Sequence, residues 1–488
     1  MKVKDLLEGV QATLSAESAA DIEICHIDFD SRKVRPGSMF FCIPGERMDG
    51  HAFAEKAAEN GAAVIVGERM TNAPLPHILV DNARIAMFYV CANFYRHPER
   101  TFKLIGITGT NGKTSTTFYI KSLLDAMGKK TGLLGTVRNM IGDEELESSF
   151  TTPEPCQLFE IFDKMRAAGV EYVVMEISSH ALAQYRVCGL TFDVGIFSNL
   201  TQDHLDLHGT LENYKEAKHK LFWQSRCCVL NIDDEAGAEF AKDGLPGVRY
   251  MTYSARVDDA DVVARDIRLR ADGVDFILVL PGRISRIKVG TPGLFTVYNV
   301  TAAISALCAA GFTFEEVVSR LNALESPDGR AQIVTQDEDF TVMIDYAHTP
   351  DALKNILMTI GGYAKGRVVT LFGCGGDRDR TKRPEMGKIA LSLSDFVIVT
   401  SDNPRTEDPS AIINDILPGM EGLKKPYKVI ENRREAIEWA IRNAEKDDII
   451  LLAGKGHEKY QVLADGKIDF DEEKIVRDIL ADIKGKGQ

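Results

Sequence analysis

The chain has 488 residues, of which 44% are hydrophobic and 27% charged, and its formal net charge is −14. That composition belongs to an ordinary soluble globular protein too long for one core, and a prior of roughly 150 residues per domain suggests three. The acidic balance argues against a general nucleic-acid surface, so any anionic ligand must be held at a local site.

The nine cysteines show no Cys-x-x-Cys pair and no metal-ligand spacing, which fits small buried side chains in a reducing cytoplasm. The N-terminal ten residues contain acids and no long apolar core, unlike a signal peptide. No stretch approaches the ~20 apolar residues of a membrane span. A cytoplasmic protein without a membrane span is therefore expected.

Residues 1–100 read as a first unit. Strands are predicted at 23–29, 38–43 and 62–66, with a helix over 52–60 that ends at Gly61. Two polar clusters flank these strands, Asp30-Ser31-Arg32 and the stretch from Gly45 through Glu46, Arg47 and Met48 to His51. Taken alone, turn chemistry explains both better than binding does. A linker is expected at 97–100.

The second unit, 101–328, opens on the stretch that organises the chain. An apolar β-branched run leads into Thr108-Gly109-Thr110-Asn111-Gly112-Lys113-Thr114-Ser115, and helical spacing of apolar residues follows. Strand, glycine loop, lysine, hydroxyl and helix form the layout of a phosphate-binding loop. Backbone N–H groups and the helix N-terminus face a polyphosphate, Lys113 neutralises it, and Thr114 can ligate magnesium. The match to the general pattern is not strict, because Ile107 stands where a first glycine is usual.

Further along, the strand beginning at Tyr172 runs into Glu176, a carboxylate placed to hold Mg²⁺ beside such a loop. The polar run 199–209 contains His204 and His208 as metal ligands, a catalytic loop or plain surface; spacing leaves all three open. Lys218, on a helix predicted over 213–223, reads by itself as an exposed helix lysine. Alternation of strands and helices implies a largely parallel sheet covered on both faces.

A second linker is expected at 325–330, and the last unit, 329–488, alternates again. Four strands deliver polar loops at their C-terminal ends: Asp345 to His348, Gly373 to Arg383, Asp402-Asn403-Pro404-Arg405, and Gly454 to Glu458. Open α/β sheets bind ligands at that edge.

The loop, together with Thr151-Thr152-Pro153, 176–180, 203–206, Tyr214 to Lys218, 345–349, 375–379 and 402–405, resembles the Mur ligases over nearly the whole chain. The resemblance is strongest to members that add the third residue to UDP-N-acetylmuramoyl-L-alanyl-D-glutamate. It implies an α/β fold of three domains: a central parallel-sheet ATPase domain with a phosphate loop, an N-terminal α/β UDP-binding domain and a C-terminal Rossmann-like domain. It also implies a monomer whose partners are small molecules: ATP, the UDP-muramoyl-dipeptide and an amino acid. By the same resemblance Ser31, Glu46, Arg47 and Met48 would hold UDP, and Thr151, Thr152, Ser178, Gln184 and Arg186 the muramoyl-dipeptide. ATP would lie on residues 109–115 with Asn299 and Arg330. Two magnesium ions would use Thr114, Glu176, His204 and Lys218, the last as a carbamate. Arg378, Asp402, Asn403, Pro404, Arg405, Gly454 and Glu458 would bind the amino acid. One departure stands out: Thr296 occupies a position where the family often has asparagine, while Asn299 is kept.

The implied chemistry suits these residues. ATP converts a carboxylate into an acyl phosphate, and an amine then displaces phosphate. Lys113, Glu176, Lys218 and His204 would form the catalytic set, because two anions must be screened as they meet. His204 and His348 are both candidates for deprotonating the amine. The 402–405 loop resembles that of diaminopimelate-adding members. Meso-2,6-diaminopimelate is thus the expected substrate, with L-lysine, or a nucleotide switch of another class, as alternatives.

Overall fold

The computed structural model describes every residue except Glu46, Arg47, Glu147, Ser149, Asp203, His204, Ala271, Asp272, Gln336, Asp337, Gly487 and Gln488, and omits the side chains of Leu205, Asp206 and Lys486. The roles expected of Glu46, Arg47 and His204 fall outside the described residues.

Three mixed sheets follow one another along the chain. The first has five strands, in the order Thr13–Leu14, His77–Leu79, Ala62–Gly67, Ser38–Phe41 and His26–Asp28. The central sheet has eleven. Its middle is parallel, with Lys103–Thr108 between Val194–Phe197 and Tyr172–Glu176. The third has six and is parallel from Thr341–Asp345 through Ile449–Ala453, Val368–Phe372 and Phe396–Val399 to Tyr427–Val429. The strands beside which ligand loops were expected are all present.

The central sheet is largely parallel, as expected, and its flanks are antiparallel: Val262–Arg270, Gly273–Leu280 and Arg283–Val289 form a meander, and Asn139–Ile141 and Glu144–Leu146 make an edge on the other side. Arg283–Val289 buries only Ile287 and Val289, the half-solvated pattern that antiparallel strands permit. The first unit shares its packing with the second. The helix Ala83–Phe94, which the sequence reading did not place, buries seven residues. It packs on Pro155–Ala167 of the next unit, with the Phe88 and Phe159 rings 5.1 Å apart, so one apolar core spans both units. All nine cysteines are free, and Cys25 is exposed rather than buried. No helix among the described residues is long and apolar enough to cross a membrane.

Candidate functional site

The loop strand Lys103–Thr108 is fully buried from Leu104 onward, and the chain turns through residues 109–112 into the helix Lys113–Ala126. The turn is braced from both sides. Gly112 has φ +84°, and a Cβ there would lie 2.4 Å from Asn299 Oδ1, so no side chain fits. Asn199, just beyond the neighbouring strand, accepts from Asn111 N–H at 2.9 Å and donates Nδ2–H to Asn111 C=O at 3.2 Å. Lys113 Nζ donates to Gly109 C=O and Thr110 C=O, both at 2.9 Å. Thr114 is buried, and its hydroxyl oxygen lies 3.4 Å from Arg330 Nη2 of the last unit. Ser115 follows, half-buried, on the first turn. Thr296 takes its place in a buried helix start, donating to Pro292 C=O at 3.2 Å.

Glu176 ends the strand paired with the loop strand, in register with Ile107, and is fully buried. Its carboxylate accepts from Thr136 N–H at 2.9 Å and Thr136 Oγ1 at 3.0 Å, and Thr136 Oγ1 is also 3.0 Å from Thr151 Oγ1. Thr152 Oγ1 donates to Glu176 C=O at 2.8 Å and accepts from Ser178 N–H at 3.0 Å. Arg186 donates to Thr152 C=O and to Gln184 Oε1, each at 2.9 Å, and pairs with Glu154 at 2.9 Å. Burial lowers the Arg186 pKa from its usual value, opposed by Glu154. Hydrogen bonds thus link Thr152, Ser178, Arg186 and Gln184 in a chain to the Glu176 backbone, and Thr151 to its carboxylate through Thr136. Ser31 lies apart from them on the first sheet, buried, with its carbonyl accepting from Asn60 Nδ2 at 2.8 Å, and Met48 is exposed.

Lys218 is not the exposed lysine that its sequence context suggested; it is 1% exposed. The helix Leu211–Trp223 buries Tyr214, Ala217, Lys218, Leu221 and Phe222, and that helical periodicity puts Lys218 on the inner face. Its Nζ sits 4.2 Å from the Tyr214 ring centroid, and the Tyr214 hydroxyl is 3.4 Å from Thr110 Oγ1 of the loop.

At the carboxyl edge of the third sheet is a cavity of about 630 Å³ lined by Arg378, Asp402, Asn403, Arg405, Gly454 and Glu458, the expected amino-acid set apart from Pro404. His180 and Gln202 of the central unit close its other side. A larger cavity, about 1330 Å³, lies at the opposite ends of the central strands near Lys103, Tyr172 and Asp193. The smaller one is the better of these two candidates, because loops that end the third sheet's strands line it. Arg405 has φ +55°, an uncommon conformation that the local contacts hold: its N–H donates to Val462 C=O at 3.0 Å and Nη1 to Gly376 C=O at 2.7 Å. The Asn403 amide is engaged within the protein, by Glu458 at 2.8 Å, Lys455 at 3.0 Å and Val462 N–H at 3.0 Å.

Besides Arg330, a second residue joins the last unit to the central one, and the sequence reading missed it. Asp351 opens the helix Pro350–Gly361 and accepts from Asn111 Nδ2 at 2.9 Å and Thr201 Oγ1 at 3.3 Å. The only available signal was an acid after proline at a helix start. Beside it, Arg330 lies 4.7 Å from the Tyr346 ring centroid, and the rings of His348 and His457 pack on Tyr346 at 4.6 and 5.0 Å.

Burial, then the charges of Arg330 and Arg138, hold the His457 pKa down to about 3. Its folded value lies below the unfolded value of 6.5, so its contribution to stability is complete above that pH and is lost as pH falls towards about 3. The wild-type melting temperature should decline through this window, and His457→Gln should make the decline shallower. Identical pH profiles for the two proteins would refute this.

Three family descriptions match the chain: "Mur ligase family, catalytic domain" over residues 23–97, "Mur ligase middle domain" over 107–307, and "Mur ligase, glutamate ligase domain" over 329–456. The chain belongs to the Mur ligase family, and it is a ligase. Among its relatives are the UDP-N-acetylmuramoyl-L-alanyl-D-glutamate--2,6-diaminopimelate ligase 1 of Clostridium acetobutylicum, 45% identical over 99% of this chain and 100% of the relative, and the corresponding ligase of Bacillus velezensis, 44% identical over the full length of both. A solved structure of a 2,6-diaminopimelate ligase of the same description superimposes with TM-score 0.71 at 32% identity, covering 99% of this chain and 100% of the other. MurF ligase of Thermotoga maritima, solved in complex with ADP, shares the fold at TM-score 0.65 and 19% identity, over 95% and 98% of the chains.

Proposed function

We propose that the chain uses ATP to join meso-2,6-diaminopimelate to the D-glutamate carboxylate of UDP-N-acetylmuramoyl-L-alanyl-D-glutamate, through an acyl phosphate. The observation that carries this reading is the cavity where two guanidinium groups, Arg378 and Arg405, and two carboxylates, Asp402 and Glu458, face the unit bearing the phosphate loop. Diaminopimelate has carboxylates for the first pair and ammonium groups for the second. L-Lysine lacks the distal carboxylate that a planar guanidinium fork suits. The names of the full-length relatives support the same substrate.

The residues suit the groups the reaction needs. The brace behind Gly112 leaves the loop's backbone free to approach a polyphosphate, with Lys113, Asn299 and Arg330 around it. Glu176 is fully buried and receives only Thr136 donors among the hydrogen bonds described, so its oxygens keep acceptor capacity for a magnesium ion. Thr114 and Lys218, as a carbamate, would complete the metal-holding set, and such ions would neutralise charge on the phosphates. Thr151, Thr152, Ser178, Gln184 and Arg186 would orient the acceptor carboxylate, and Ser31 and Met48 would lie on the UDP side. The domains would then be 1–100, 101–328 and 329–488.

A phosphate-release assay with the UDP-muramoyl-dipeptide and a panel of amino acids tests the proposal. Diaminopimelate should be used well and L-lysine poorly. Arg405→Ala should raise the KM for diaminopimelate far more than that for ATP. Preference for L-lysine, or unchanged diaminopimelate kinetics in the variant, would overturn the assignment.

A further inference from the structure

Arg433 lies behind the amino-acid cavity and is not among its lining residues. It begins the helix Arg433–Arg442 and is 1% exposed. Its guanidinium reaches three segments. Nε donates to Glu472 Oε1 at 2.7 Å, Nη2 donates to Ala453 C=O at 2.9 Å, and Nη1 lies 3.8 Å from Asp402 Oδ2. Neither Nη1 nor Asp402 Oδ2 has a hydrogen-bond partner, though both are buried. One cation thus sits between two buried carboxylates, Glu472 and Asp402.

The geometry matters because of the sheet order. Asp402, Asn403 and Arg405 follow the strand Phe396–Val399, whereas Gly454 and Glu458 follow Ile449–Ala453. These strands are not neighbours; Val368–Phe372 runs between them. Each is laddered to that middle strand and not to the other, so beyond the strand ends side chains adjust the spacing of the two loops. Gly454 approaches Asp402 so closely that a Cβ on it would stand 2.6 Å from Oδ2. The Arg433 guanidinium holds the end of the second strand and faces the carboxylate of the first loop at that point of approach. Lys455, fully buried, makes a parallel tie from the same segment to Asn403 Oδ1 at 3.0 Å.

We propose that Arg433 is a positioning residue, anchored by Glu472, that sets the spacing between the 402–405 loop and the 453–458 loop and so tunes affinity for the amino-acid substrate. The inference rests on reading this cavity as the amino-acid site. A rigid fork bonded at two corners keeps its third corner in place; a lysine ammonium has the charge without the planar geometry. Removing the cation would leave two buried carboxylates without their shared partner, and the loops would have to move apart or take up water.

The test compares KM for diaminopimelate, ATP and the UDP-muramoyl-dipeptide in wild type, Arg433→Lys, Arg433→Met and Glu472→Gln, with melting temperatures alongside. The KM for diaminopimelate should rise roughly tenfold or more in the Arg433 variants, as a small displacement of a binding group can cost. The other two constants should stay within about twofold of wild type, and Arg433→Lys should be milder than Arg433→Met. Glu472→Gln keeps the acceptor and weakens the anchor. It should shift the same constant in the same direction, and it carries the test should the Arg433 variants fail to fold. Three constants unchanged, or rising together, would overturn the proposal. Wild-type refusal of diaminopimelate would overturn the substrate reading alone, and the ratios are then taken with whichever amino acid the wild type accepts.

Discussion

Lys113→Ala should leave a folded protein whose turnover is reduced by roughly 10²–10³-fold or more, the usual cost of removing one electrostatic stabiliser from a charged transition state. Lys113 opens the helix Lys113–Ala126, and its ammonium is drawn over the mouth of the loop by two carbonyls, Gly109 and Thr110, at 2.9 Å. A cation held there meets the transferred phosphate without first having to be ordered. The same bonds give Lys113 a part in bracing the loop, so activity alone does not separate the two roles. Melting temperature with and without ATP does. The variant should melt close to wild type by itself and lose most of the stabilisation that ATP gives, since the stabilisation by a ligand rises with the logarithm of its affinity for the folded state. Near-normal turnover would remove the nucleotide assignment.

Lys218→Ala should be nearly inactive, with partial rescue by a short carboxylic acid. The motive is a lysine 1% exposed on the inner face of its helix, beside the Tyr214 ring that touches the phosphate loop. An ammonium cannot ligate magnesium, whereas a carbamate offers two oxygens and suits a hard cation. The change requires the neutral amine, which is what carbon dioxide attacks. Isotope-labelled bicarbonate should yield a carbamate resonance in wild type that is missing from Lys218→Ala. Lys218→Arg with full activity would rule the carbamate out, since arginine cannot form it.

Much of the fold was legible in the sequence. The strands ending at Thr108, Glu176, Asp345, Phe372, Val399 and Ala453 were placed to within a residue or two, because continuous apolar runs followed by glycine or polar loops are a local signal. The helix Ala83–Phe94 was missed for the opposite reason. It is apolar on nearly every side, so it has no amphipathic stripe to read, and its partner helix lies more than sixty residues away in the chain. The antiparallel pairing of the meander over 262–289 was not legible, since strand direction depends on which neighbour is met in space.

The sequence by itself determined the phosphate loop and the polar loops at the strand ends, because each is a contiguous code whose strand, turn and helix start form from neighbouring residues. Only the tertiary structure decided that Lys218 is buried, that Arg186 holds the Thr152 carbonyl while the Thr152 hydroxyl holds that of Glu176, and that Arg433 stands behind Asp402. It alone brought Asp351 to Asn111 across a separation of 240 residues. The physical reason is one of range. A backbone turn or an apolar period is dictated within a few residues, whereas the burial of a charge and the identity of its partner are set by whichever segments the packed sheets bring alongside it.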